Sequence, residues 1–245
     1  MTDINARQGL PETESSGPLA TALRRLGGEL LGSALLAAIV VGSGIAAQRL
    51  SPTDTGLQLF ENAFATALGL SVLILVFAPL SGAHFNPVVS LVDALLGHRP
   101  WAEAVCYIPA QIMGCIGGAM LANLMFGTPA ITWSTTDRLS APHFLAEVVA
   151  TAGLIVVIFA LVRTGRTALA APAVGAYIGA AYFFTSSTSF ANPAITIGRM
   201  FTDTFAGIAP SSTGGYLIAQ MVGGALGLAC VLLLFPRARR RLTVR

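Results

Sequence analysis

Ser81-Gly82-Ala83-His84-Phe85-Asn86-Pro87-Val88-Val89 is answered later in the chain by Ser186-Ser187-Thr188-Ser189-Phe190-Ala191-Asn192-Pro193-Ala194. Each run of small residues ends in Asn-Pro and opens a short apolar segment, residues 86–96 and 192–202. Asparagine is a favoured helix N-cap, and proline is favoured at the first helical position, where its missing N–H costs nothing. Helical segments of that length reach only about 16 Å, half of the roughly 30 Å hydrocarbon core of a bilayer. They are too short to cross and too apolar for a surface loop. The pattern predicts two half-helices that enter from opposite faces and meet near the midplane.

The surroundings call for lipid. Of the 245 residues, 54% are hydrophobic and 10% charged, with mean hydropathy +0.74. A soluble domain carries about a quarter charged residues. Six long apolar runs cover residues 26–47, 59–80, 102–126, 144–162, 169–188 and 216–235. Small residues, Gly114, Gly117 and Gly118 in the third run and Gly223, Gly224 and Gly227 in the sixth, are spaced for close helix packing. Cys106, Cys115 and Cys230 match no metal spacing and read as small core residues.

The two halves repeat one plan: a helix bearing a glutamate (Glu29, Glu147), a further helix, an Asn-Pro half-helix, then another helix. Three crossings per half invert the second copy, and interrupted segments at matching places in inverted repeats mark a transport site at their interface. All fourteen basic residues are arginine, and eleven fall on one side of the predicted spans, leaving Arg49, Arg138 and Arg199 for the other. The positive-inside rule then puts both termini in the cytoplasm of a multi-pass inner-membrane protein. The expected organisation is a disordered tail over 1–21, a channel domain over 22–236 with repeats at about 22–126 and 141–236, and a basic tail over 237–245. That tail reads as a membrane anchor rather than a nucleic-acid contact.

Two helix starts at the midplane would put partial positive charge at the centre of a path and oppose cations and protons. Asn86 and Asn192 would offer amide donors to a passing oxygen. The non-helical backbone before each would expose carbonyls, tolerable in a membrane only along a wet cavity or inside protein. This suits polar, uncharged solutes in single file. No nucleotide loop, nucleophile constellation or metal cluster points to an enzyme or to a cofactor.

These motifs resemble the major intrinsic protein family, the aquaporins and glycerol facilitators. Asn86-Pro87-Val88 departs from the family's first motif only in Val88, where alanine is usual; Asn192-Pro193-Ala194 matches the second in full, and Glu29, Glu147 and Gln111 also match. The resemblance implies an all-α channel of six transmembrane helices plus two re-entrant half-helices, built as a homotetramer in the lipid bilayer with one pore per subunit. It gives Glu29 and Glu147 a structural role, holding the backbone that displays the pore carbonyls. It also makes Ile195 the largest departure, since the family's filter arginine stands there. The implied filter is Leu68, Ala180, Ser189 and Ile195, with Thr66 the alternative to Leu68. Such a ring is wide, apolar and uncharged, suited to glycerol-like polyols, undissociated metalloid acids such as arsenous acid, and water. His84 and Arg199 are candidates for the vestibules; Arg199 has as its other reading a partnership with Asp203 at (i, i+4). A water-selective pore, a secondary active transporter and a closed structural protein, with Phe183, Phe184 or Phe190 as plug, are the competing readings.

Overall fold

The computed structural model describes residues 17–236; residues 1–16 of the tail expected over 1–21, and the whole tail expected over 237–245, lie outside the described residues. Eight α-helices follow in order: α1 Pro18–Leu50, α2 Thr55–Ser81, α3 Pro87–Leu95, α4 Trp101–Met125, α5 Ala141–Arg163, α6 Ala170–Phe184, α7 Pro193–Gly198 and α8 Pro210–Leu234. Six are long and apolar enough to cross a membrane, α6 when taken with the 3-10 turn Thr167–Leu169 that leads into it. Helix α1 starts at Pro18, four residues ahead of the expected edge of the channel domain, with proline in its first turn. The two half-helices are α3 and α7, and α7 runs on into a 3-10 turn over Arg199–Phe201.

Helix α1 packs mainly on α4, and α5 on α8, so each half of the chain supplies one tight pair. Glycine makes the pairs tight. A Cβ at Gly114 or Gly118 would strike the carbonyl oxygens of Leu30 or Ala34, and one at Gly223 or Gly227 those of Val148 or Ala152. Gly117 takes no part, because a Cβ there would meet nothing. Gly224 explains the unusual Val88, whose Cγ1 fills the space beside it. The cysteines divide: Cys115 is buried, but Cys106 and Cys230 lie exposed on outward faces and are not core residues.

One end of the bundle carries both ends of the described chain. There Arg25 bonds Glu103, His98 stacks on Phe159, and Arg163 donates to the Phe235 carbonyl. We call this the near face, and the opposite one, closed by the 126–140 connection, the far face. The outer surface is greasy: Phe60, Phe64, Leu75, Leu145 and Leu233 are among its exposed side chains.

Candidate pore and its lining

Both Asn-Pro turns form as helix starts. The Asn86 Oδ1 accepts from the Val88 N–H, and the Asn192 Oδ1 from those of Ala194 and Ile195. Pro87 and Pro193 occupy the first turns. The two starts are joined by crossed bonds: Asn86 Nδ2 donates to the Ala191 carbonyl at 2.8 Å, and Asn192 Nδ2 to the Phe85 carbonyl at 2.8 Å. Each amide therefore has one N–H committed to the opposite repeat and one left over.

The glutamates hold the chain ahead of each turn in matching ways. Glu29 is wholly buried and accepts from Ser81 Oγ, the His84 and Phe85 N–H groups and Gln111 Nε2 at 2.6–3.0 Å. Glu147, also wholly buried, accepts from Ser187 Oγ, the Phe190 and Ala191 N–H groups and Gln220 Nε2 at 2.7–2.9 Å. The glutamines are braced in turn, Gln111 by Ser90 Oγ and Gln220 by Thr196 Oγ1. Sequence reading missed Gln220, Ser81 and Ser187. The serines could have been found, because each stands five residues ahead of its asparagine.

This clamp bends the backbone into a conformation that L-residues avoid. Ala83, Phe85, Thr188, Ser189 and Ala191 all have φ between +48° and +60°. Each costs about 1 kcal/mol or more, and the loops are held by N–H bonds from Phe85 and Ala191 to the carboxylates and from Ala83 and Ser189 to the serine hydroxyls. Gly82, at φ +93°, ends α2, and a Cβ on it would run into Arg99. The His84 and Phe190 N–H groups donate to the glutamates and those of Ala83 and Ser189 to the Ser81 and Ser187 hydroxyls, and all four residues line a cavity in which their carbonyls accept no hydrogen bond from the described residues.

That cavity, about 440 Å³, runs from Arg99 and His98 on the near face, past Asn86 and Asn192, to Arg199 on the far side. Its other wall is apolar, with Val40, Leu70, Ile74, Leu154, Ile158, Val174 and Ile178. Ser189, Ile195, His84 and Arg199 all border it; Leu68 and Ala180 do not. Leu68 is 54% exposed and Ala180 is exposed as well, both on the outer surface. Helical phase is the reason. The lumen takes Thr66, Leu70, Ile74 and Ala78 from α2 and Ala170, Val174, Ile178 and Tyr182 from α6. A residue two places away from such a row is turned about 200° around the helix. Thr66 and Tyr182 border the cavity instead, with hydroxyls 3.2 Å apart.

Arg199 is 2% exposed, and its partner is not Asp203, which accepts from the Thr135 N–H and Oγ1. Its Nε donates to the Ala206 carbonyl, and its guanidinium lies over the Phe190 ring, 3.4 Å from the centroid. Arg138, from the 126–140 connection, covers the same ring at 5.6 Å and donates to the Gly207 and Phe205 carbonyls; burial pulls its guanidinium below the ordinary value. Phe183 and Phe184 are exposed outside and plug nothing. On the near face, Asp93 gathers His84, His98 and Arg99 at 3.0–3.4 Å, and Arg99 passes the network to Glu103.

A family model described as Major intrinsic protein matches residues 18–190, most of the chain. The chain belongs to that family. Among major intrinsic proteins it is similar to the aquaglyceroporin AqpS of Rhizobium meliloti (strain 1021), at 46% identity over 88% of this chain and 92% of the relative. It is also similar to the glycerol uptake facilitator protein of Streptococcus pneumoniae (strain ATCC BAA-255 / R6), at 29% identity over 87% and 98%. The X-ray structure of the aquaglyceroporin from Plasmodium falciparum shares the fold, with TM-score 0.68, 22% identity, and coverage of 86% of this chain and 95% of that one. Major intrinsic proteins are membrane channels rather than enzymes, and this chain has their all-helical, multi-pass build.

Proposed function

We propose that this protein is a passive channel for small uncharged solutes of the glycerol type, undissociated metalloid acids included, through a lumen with no arginine at position 195. One observation carries the reading: a single cavity passes both asparagines with an apolar wall on one side and free carbonyls and amides on the other. A polyol has the same two sides, with C–H groups along one edge and hydroxyls along the other. Its hydroxyls donate to the carbonyls and accept from the uncommitted N–H groups of Asn86 and Asn192. The names of the relatives, an aquaglyceroporin and a glycerol uptake facilitator, point the same way. We propose the far-side constriction as Thr66, Tyr182, Ser189 and Ile195, with both termini cytoplasmic and four subunits per assembly.

Coupled transport is disfavoured by the state of the carboxylates. Glu29 and Glu147 are each wholly buried and accept four hydrogen bonds, so neither is open to a travelling proton. Stopped-flow swelling of proteoliposomes in a glycerol gradient tests the proposal. Glycerol is expected to enter rapidly, with no change when the proton gradient is collapsed. Ile195→Arg should slow it about tenfold, the effect of roughly 1.4 kcal/mol of added barrier. No glycerol entry above empty vesicles would refute the polyol reading, and water passing without glycerol would make the pore water-selective.

A further inference from the structure

The far end of the lumen holds a buried cation that the fold leaves uncompensated. Arg199 is 2% exposed, yet among the described residues no carboxylate lies within 4 Å of its guanidinium. Glu147, the wholly buried carboxylate of the same repeat, is already engaged by four donors, three from the loop ahead of Asn192 and one from Gln220 on α8. Of the five N–H donors that a guanidinium carries, only the one on Nε meets an acceptor among the described residues, the Ala206 carbonyl. The face of the group is fixed by the Phe190 ring, leaving its edge beside the cavity it borders. A second polar group on the same cavity is also without a partner among the described residues. The Ser189 Oγ is buried and makes no hydrogen bond, and Ser189 borders the same cavity.

A bare charge in a protein interior is expensive unless something of opposite sign or with good acceptors meets it. Among the described residues only the Ala206 carbonyl does so here, and one carbonyl with stacking on an aromatic ring recovers only part of the cost. A planar fork of unused donors suits two oxygens on one atom, the geometry of a carboxylate or another oxyacid. Resting on the channel reading above, we infer that Arg199, with the Ser189 hydroxyl on the same cavity, forms an oxyacid-binding subsite at the far mouth of the pore. Small oxyacids, as anions or with their proton on, dock there through paired oxygens, and small cations are repelled. The charge therefore enters the far mouth one helical turn beyond Ile195, and the narrow part of the lumen stays uncharged.

Glycerol and glycerate, equal in carbon count and differing in one carboxylate, separate the two solute classes. The first measurement is glycerol flux into proteoliposomes with and without glycerate on the far side, in the unaltered protein, in Arg199→Gln and in Arg199→Lys. The ratio of the two fluxes is compared within each protein, so that a change in the starting rate cancels. In the unaltered protein, saturating glycerate is expected to slow glycerol at least threefold. Half-inhibition should need about tenfold more glycerate in Arg199→Gln, the usual weight of a charge-assisted pair. Arg199→Lys, which keeps the charge without the fork, should fall between. No slowing in the unaltered protein, or equal slowing in Arg199→Gln, would overturn the subsite. The second measurement is the thermal midpoint of the unaltered protein in detergent with added glycerate. It is expected to rise with glycerate and not with glycerol at the same concentration. A flat midpoint overturns the inference even if the variants fail to fold. Rapid glycerol flux with no glycerate effect sinks the subsite alone. A glycerate-dependent midpoint without glycerol flux sinks the channel reading and keeps the subsite.

Discussion

Asp93 and Arg199 each stand seven residues beyond the asparagine of their own half-helix, one on the near face and one on the far. Up to that point the two halves are built alike, with a glutamate, a serine five places before the asparagine, a glutamine brace and crossed asparagines. At the seventh residue they part. Asp93 is surrounded by His84, His98 and Arg99, so its charge is spent inside the protein. Arg199 has a ring beneath it, one carbonyl, and no carboxylate within 4 Å among the described residues. The shared part makes the path, and the divergent part gives each mouth its own electrical character. Selectivity can therefore be altered at either end without disturbing the middle.

The largest effect tests the shared part. Glu29→Leu and Glu147→Leu each leave two loop N–H groups, a serine hydroxyl and a glutamine amide without their acceptor. Each should cost about 4 kcal/mol or more, read as loss of folded protein in detergent extracts. If one variant survived and the other did not, the two clamps would not be equivalent. The next effect tests the divergence. Asp93→Asn strips three cationic or potentially cationic neighbours of their shared anion and should cost about 2 kcal/mol in unfolding experiments. Arg199→Met orphans no ion and should change stability by less than about 1 kcal/mol in either direction. A heavier loss from Arg199→Met than from Asp93→Asn would make the guanidinium a structural strut and erase the contrast. The smallest effect lies at the rim: Arg25, 44% exposed and bonded to Glu103, should lose no more than about 0.5 kcal/mol as Arg25→Gln.

The path was legible in the sequence because its signals are local. Asn-Pro announces a helix start wherever it falls, so segments expected at 86–96 and 192–202 correspond to Pro87–Leu95 and Pro193–Gly198 with its 3-10 extension. Which residues of α2 and α6 face the lumen was not legible, because it depends on helical phase carried across a loop. A two-residue difference in the connection before Asn192 exchanges Ala180 for Tyr182, and the same ambiguity before Asn86 exchanges Leu68 for Thr66. Two residues reverse a helix face, so a small counting error turns a filter residue outward into lipid. The surroundings of Arg199 were beyond reach for another reason. Its carbonyl partner at Ala206 belongs to the chain returning after the 3-10 turn, and that return carries no motif.

One consequence follows from the left-handed loop residues. On the proposed path, the oxygens that a travelling molecule would meet around His84 and Phe190 belong to the main chain, and every amino acid carries that atom. No single codon change deletes one, provided the glutamate beneath still holds the loop in place. Conduction in this protein is thereby sheltered from most point mutation, and the side chains at the mouths are left open for selection to rework which molecules get through.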